Sequence, residues 1–148
     1  QNRLKKALEQ VEDKYDYCLI DCPPSLNMIT INALVASDEV IVPIKIDKFA
    51  LDGLGYLLES INEIKDEFNE NLKFLGCFIT MDNSTTVNKE IKKALKDLLG
   101  EKMLDTHIRQ NISVVESTFE QKPVIYYKSK SNASKDYIKL AKEVFKNG

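Results

Sequence analysis

The sequence predicts an α/β fold built on a parallel sheet. Two observations carry that expectation. Short apolar, β-branched runs of strand length alternate with longer stretches of helical periodicity from one end of the chain to the other. Several of those runs are nearly continuous in apolar residues, as strands covered on both faces are. The resulting βαβ spacing favours parallel strands with helices on both faces of the sheet.

The elements follow in order. Leu4, Ala7, Leu8 and Val11 recur at helical spacing, so Asn2–Glu12 is read as an amphipathic helix. Tyr17–Asp21 is the first strand, and Leu26–Ser37 returns to a helical pattern anchored by Leu34 and Val35. Glu39–Ile46 is a β-branched run and a second buried strand. Lys48–Gly53 reads as a loop. Leu54–Phe68 reads as a long helix with Leu54, Leu57, Leu58, Ile61 and Ile64 on one side. Leu72–Thr80 is a third strand, followed by a polar loop at Met81–Thr86. Val87–Leu99 is a helix with Ile91, Leu95 and Leu98 inward, and Gly100 suits its C-cap. Met103–Ile108 is a short fourth strand, and Asn111–Glu120 a loop holding one short helix. Val124–Tyr126 is an edge strand, where Pro123 is tolerated. Ser134–Lys146 closes the chain as a helix.

A chain of 148 residues suits one domain with a sizeable core. With 43% hydrophobic and 30% charged residues it has a globular composition, not a disordered one. No apolar run approaches the ~20 residues that span a bilayer, and the polar Gln-Asn-Arg-Leu-Lys-Lys start is not a secretory signal. The chain does not begin with Met, so a piece of a longer product is expected. Cys18 and Cys22 on one extended strand would lie roughly 13 Å apart, too far for a disulfide. No Cys-x-x-Cys pair frames a metal site, so Cys18, Cys22 and Cys77 are read as small buried hydrophobes in a reducing cytoplasm.

Chemistry concentrates at the end of the first strand. The run Tyr15-Asp16-Tyr17-Cys18-Leu19-Ile20-Asp21-Cys22-Pro23-Pro24-Ser25-Leu26 starts as a strand and ends as a turn, because the prolines have no N–H for a ladder. Asp21 is a carboxylate at a C-terminal strand end, where open α/β sheets hold ligands. The pattern by itself leaves a second reading open, a strand that simply meets solvent.

That run, together with Thr30–Val35, Ser37–Pro43, Phe49–Leu54, Thr80-Met81-Asp82-Asn83 and Lys122-Pro123-Val124, resembles the ParA/Soj family of partition ATPases, P-loop NTPases of the deviant Walker type. The resemblance covers most of the chain from Tyr15 onward. It implies that Asp21, ending the Walker B strand, is catalytic and positions Mg, directly or through water. It implies that Pro23, Pro24 and Ser25 form a switch and interface segment. It also implies that Thr80–Asn83 and Ile108–Asn111 flank the nucleotide base, making Asn83, Ile108 and Asn111 cofactor-binding. The match departs from the family at Ser84, where relatives often carry Arg, and at Arg109-Gln110, where they often carry Pro-Arg. Asn83 and Asn111 read equally well as polar turn residues. Glu116 matches a family glutamate to which physics assigns no role, and His107, without a nearby Ser or Cys in sequence, is expected to pack at a strand end.

The family's Gly-rich phosphate loop with two lysines is not found in these residues. Gly53 and Gly55 are the nearest approach, and no Lys-Ser/Thr follows them. The chain is therefore expected to be the C-terminal part of a single ParA-type ATPase domain, inactive toward ATP by itself. ATP and Mg would belong to the intact parent, with none held tightly here. The gap left by the family's first strand is expected to be closed by direct pairing of the remaining strands, by a partner chain, or by residues outside these 148.

The net charge of −2 argues against a basic nucleic-acid binder overall, but lysines are unevenly spread. Lys89, Lys92, Lys93 and Lys96 recur on one helix, and Lys135, Lys139, Lys142 and Lys146 on another, as stripes able to grip phosphates. A solvated lysine face is the plainer reading of either stripe. The resemblance implies an ATP-dependent homodimer, a centromere-binding ParB-like partner, non-specific DNA, no membrane, and a cytoplasmic or nucleoid-associated location. The function expected is plasmid or chromosome partition, that is, DNA segregation. The alternative is a non-catalytic α/β module that binds DNA or a partner.

Overall fold

The computed structural model describes residues 3–23, 25–47, 50–83 and 85–145. Its elements are α1 (Arg3–Glu9), α2 (Met28–Ala36), β1 (Glu39–Lys45), α3 (Ala50–Phe68), β2 (Lys73–Thr80), α4 (Thr86–Leu99), α5 (Ile112–Phe119), α6 (Val124–Tyr127) and α7 (Asn132–Val144). β1 and β2 form a two-stranded sheet. The α3 crossover between them makes the pair parallel, and Lys73 N–H donates to the Asp38 carbonyl at 2.9 Å where both strands begin. Met103 and Arg109 extend the parallel pairing through isolated bridges to Cys77 and Asp82.

The chain divides into two compact units, residues 1–40 with 52–74 and residues 41–51 with 75–148. The first packs α1 on α2 and buries Ala33, Leu34, Val35, Leu54, Ile61, Ile64 and Leu72. Asn69 ties it together, its amide donating to the carbonyls of Leu34 and Ser37 at 3.0 and 2.8 Å. The second buries Val42, Ile44, Cys77, Ile79, Leu95, Met103, Ile108, Val124, Ala133 and Leu140. Within it Gly76 lies at φ +150, and a Cβ there would collide with the Lys102 carbonyl oxygen. That close approach is what lets the 103–108 backbone run along β2.

The α/β class and the alternation of elements agree with the sequence, and Gly100 caps α4 at φ 55 as its position predicts. Several local expectations are corrected. Tyr17–Asp21 forms no strand among the described residues, and Leu19 is 86% exposed. An apolar run cannot hold strand geometry without a neighbouring backbone to satisfy its N–H and C=O groups. Among the described residues, the 17–21 segment is not part of the β1–β2 sheet. β1 is buried on one face only, with Val42 and Ile44 in and Pro43 and Lys45 out.

The helix α3 begins at Ala50, inside the stretch read as a loop, while Lys48 and Phe49 lie outside the described residues. Val124–Tyr127 is helical rather than an edge strand. Tyr126 and Tyr127 N–H groups both donate to the Pro123 carbonyl at 2.9 Å, a local solution that overrides the β propensity of Val-Ile-Tyr-Tyr. Leu98 is 64% exposed instead of inward. Cys77 is buried as read, whereas Cys18 and Cys22 are exposed because the strand meant to cover them does not form.

Candidate functional site

In the second unit the C-terminal end of β2 carries a polar cluster. Asp82 follows Met81, which takes a positive φ of 51 and turns the chain out of the strand. Its backbone is held on both sides, with Asp82 N–H donating to the Ile108 carbonyl and Gln110 N–H donating to the Asp82 carbonyl, each at 2.9 Å. The carboxylate is 6% exposed. Its Oδ2 accepts from Lys92 Nζ at 2.6 Å and lies 3.3 Å from His107 Nε2. Its Oδ1 is buried without a hydrogen-bond partner among the described residues. Lys92 is therefore spent on neutralising a buried charge, because a buried carboxylate left unpaired would be costly.

Arg109 points to α7. Its Nε and Nη2 donate to Asp136 at 2.9 and 2.7 Å, and its backbone N–H adds a third bond at 3.1 Å. Burial by itself would raise the Asp136 pKa, but the hydrogen bonds from Arg109 outweigh it and hold the carboxyl below its ordinary value. Arg109 is correspondingly pushed up, chiefly by its hydrogen bond to Asp136. Thr106, His107, Arg109, Asp136 and Lys139 line an open cleft of about 320 Å³. Beside it, Glu143 accepts from the N–H groups of Asp105 and Thr106 at 2.7 and 2.9 Å. A side-chain carboxylate thereby takes backbone donors that a further strand would otherwise use.

The residues expected to flank a base are committed locally. Ile108 is 3% exposed, and its N–H donates to the Ile79 carbonyl at 2.8 Å. Asn111 Oδ1 accepts from Ser113 N–H at 2.9 Å and caps α5. Asn83 Oδ1 accepts from Thr85 Oγ1 at 3.1 Å. Asn83, Ile108 and Asn111 do share one end of β2 with Asp82, since Asp82 bridges to Arg109. Of the lysine stripes, Lys92 is paired with Asp82, and Lys96 donates to Asp105 Oδ1 at 3.1 Å and the Met103 carbonyl at 2.9 Å. Lys89, Lys93, Lys135, Lys139 and Lys142 are exposed, and Lys146 lies outside the described residues.

In the first unit Asp21 is exposed, in a segment without regular secondary structure. The next residue, Cys22, has its thiol pKa raised by partial burial and then by the Asp21 charge. Pro23 and Ser25 are exposed, and Pro24 lies outside the described residues. Ser25 is part of a capping turn. Its carbonyl accepts from Thr30 Oγ1 at 2.6 Å, and Asn27 Oδ1 accepts from the N–H groups of Ile29 and Thr30 at 2.9 and 3.2 Å, opening α2. Among the described residues no group of three or more His, Cys, Asp or Glu side chains can hold a metal. A lone exposed carboxylate fits Mg²⁺ held mainly by phosphates and water, not a dedicated protein cage.

Sequence reasoning placed Asp82 in the loop beside the nucleotide base without giving it a partner, and passed over Asp136 and Glu143. The pairing of Asp82 with Lys92, ten residues on, was the part not foreseen. The pairing of Arg109 with Asp136 joins positions 27 apart and leaves no local signal.

A family model described as an AAA domain matches residues 1–74. The chain is 40% identical over 147 residues to the sporulation initiation inhibitor protein Soj of Bacillus subtilis, covering 99% of this chain and 58% of that protein. It is 39% identical over 145 residues to the chromosome partitioning protein ParA of Caulobacter vibrioides, covering 96% and 54%. The chain thus spans little more than half the length of these curated relatives. Among solved structures it is similar to cobyrinic acid a,c-diamide synthase of Mycobacterium smegmatis with bound ATP analog and magnesium, at TM-score 0.78 and 29% identity, covering 94% of this chain and 51% of that one.

Proposed function

Because this chain belongs to the Soj/ParA family of P-loop NTPases, we propose that it forms part of a partition ATPase that segregates plasmid or chromosomal DNA. The observation that carries the reading is the alignment of nearly the whole chain with chromosome-partitioning relatives. On this reading the 148 residues are the C-terminal part of one ATPase domain. Asp21 is the carboxylate that helps hold Mg²⁺ beside the phosphates of ATP, and its exposure at the end of the 17–21 segment supports that role. Pro23, Pro24 and Ser25 form the switch segment. Asn83, Ile108 and Asn111 flank the base, and their common position at one end of β2 supports this. The apolar 17–20 segment becomes a strand once a neighbouring backbone is supplied. The partners are a second subunit, a centromere-binding ParB-like protein, and DNA gripped without sequence reading by the exposed Lys89, Lys93, Lys135 and Lys139. No helix among the described residues is long and apolar enough to cross a membrane.

The test has two steps. The coding region immediately upstream of Gln1 is sequenced, and a strand followed by a two-lysine Gly-rich loop is expected. In the protein that includes it, Asp21→Ala is expected to lower Mg-dependent ATP hydrolysis by about 10–100-fold, the range for disturbed metal positioning. A reading frame that opens at Gln1 with no such loop, or an Asp21→Ala protein with unchanged hydrolysis, overturns the ATPase reading.

A further inference from the structure

The turn at Ile108–Asn111 is gripped from two sides. On the β2 side, Asp82 N–H donates to the Ile108 carbonyl and Gln110 N–H donates to the Asp82 carbonyl, each at 2.9 Å. These two bonds make a parallel bridge centred on Arg109, which leaves the Arg109 N–H facing away from β2. That N–H meets Asp136 Oδ2 at 3.1 Å, and the same carboxylate takes Arg109 Nε and Nη2 at 2.9 and 2.7 Å. One carboxylate thus fixes both the backbone and the side chain of the central residue. Asp136 is 8% exposed, so water competes weakly for it. The helix α7 does not need Asp136 in order to dock. Its Ala133 and Ser134 are fully buried, and Ser134 Oγ bonds the Val124 and Lys128 carbonyls at 2.9 and 2.8 Å. Glu143, about two turns beyond Asp136, accepts from the N–H groups of Asp105 and Thr106. With the helix seated by these contacts, what Asp136 adds is the position of the 109 backbone on the side away from β2.

We propose that Asp136 is a positioning residue for the nucleotide: it holds the 108–111 turn in the shape that takes the base, a role that rests on the proposed placement of the base beside Asn83, Ile108 and Asn111. A ligand gains affinity when the groups that meet it are already ordered, because ordering them on binding uses up part of the interaction energy. Ile108 is fixed by its N–H on the Ile79 carbonyl, and Asn111 by its cap on α5. Arg109 and Gln110 lie between them, and Asp136 is the outer restraint on that pair. The effect is confined to the base. Asp136 bonds only within the turn, whereas the proposed reading assigns the phosphates and Mg²⁺ to Asp21 and a Gly-rich loop. Loss of the Asp136 carboxylate therefore weakens a nucleotide and leaves a base-free triphosphate alone.

The experiment is calorimetric titration of the full-length protein with Mg-ATP and, separately, with Mg-tripolyphosphate, which has the phosphates and no base. Circular dichroism checks folding of each variant. The unsubstituted protein is expected to hold ATP more tightly than tripolyphosphate. Asp136→Asn is expected to raise the ATP dissociation constant by about 3–10-fold and to leave that for tripolyphosphate unchanged. Ser134→Ala removes the bonds from α7 to the Val124 and Lys128 carbonyls without touching Arg109. It is expected to lower thermal stability and to leave both dissociation constants unchanged, so general loosening of α7 is told apart from loss of the turn. An unsubstituted protein that holds neither ligand, or both equally, overturns the placement of the base and the role of Asp136 with it. A preference for ATP that is the same with and without Asp136→Asn, a loss shared by tripolyphosphate, or an equal loss of ATP binding in Ser134→Ala overturns the role of Asp136 alone.

Discussion

Replacing Gly76 with Ala is expected to be severely destabilising. A Cβ at this position would drive into the Lys102 carbonyl oxygen and sit 2.6 Å from Leu104 Cδ1. The side chain of Leu104 could rotate away, but the carbonyl belongs to backbone that is already fixed. Leu104 N–H donates to the Cys77 carbonyl at 2.8 Å, and Cys77 bridges to Met103. Relieving the collision means pulling the 102–104 backbone off β2. Overpacking of this kind costs about 1–3 kcal/mol, and a non-glycine residue held at φ +150 adds a backbone cost of about 1–3 kcal/mol. A loss of roughly 2–6 kcal/mol follows, a large share of the ~5–15 kcal/mol that holds an ordinary domain together. Urea denaturation followed by circular dichroism measures it. Gly55 is the internal control, since it lies in α3 with nothing within 4 Å of its would-be Cβ. Gly55→Ala is expected to stabilise by about 0.4–1 kcal/mol through helix propensity and unfolded-state entropy. A Gly76→Ala cost below about 1 kcal/mol, or equal effects at the two glycines, would refute the close-approach argument.

Two further outcomes are expected. Asp136→Asn should cost about 1–2 kcal/mol at neutral pH, the scale of charge-assisted hydrogen bonds reduced because the Arg109 guanidinium is 44% exposed. The Asp136 pKa is lowered on folding, so its contribution is fully present above the unfolded value near ~3.9 and is lost as pH falls through the folded value. The gap between the two stability curves should therefore begin to narrow only below about pH 4 and close below the depressed folded value, and a gap that is the same at neutral pH and in strong acid would contradict the assignment. Thiol labelling of the native chain should modify Cys18 and Cys22 and spare Cys77, which is fully buried with its thiol pushed up to about 12. Cys77 should react only after unfolding, and labelling before then would show that the β2 core opens.

What could be read in advance was whatever depends on local chemistry and periodicity. The α/β alternation, the β1 and β2 runs, the α4 helix with its Gly100 cap and the family-like run ending at Asp21 were all legible, because each is written within a few consecutive residues. Two kinds of feature were not. Whether an apolar run becomes a strand depends on a neighbouring backbone, so Tyr17–Asp21 takes no strand assignment while Val124–Tyr127 closed into a helical turn on Pro123. Which polar groups meet depends on chain crossings, so Arg109 with Asp136, Glu143 with the 105–106 backbone and the spending of Lys92 on Asp82 emerged only from packing. The helix α5, which leaves Ile112, Val115 and Phe119 exposed, belongs to both. Its three apolar residues are plain in the sequence at helical spacing, and periodicity alone would turn them inward. Tertiary packing instead buried Ser113 and Ser117.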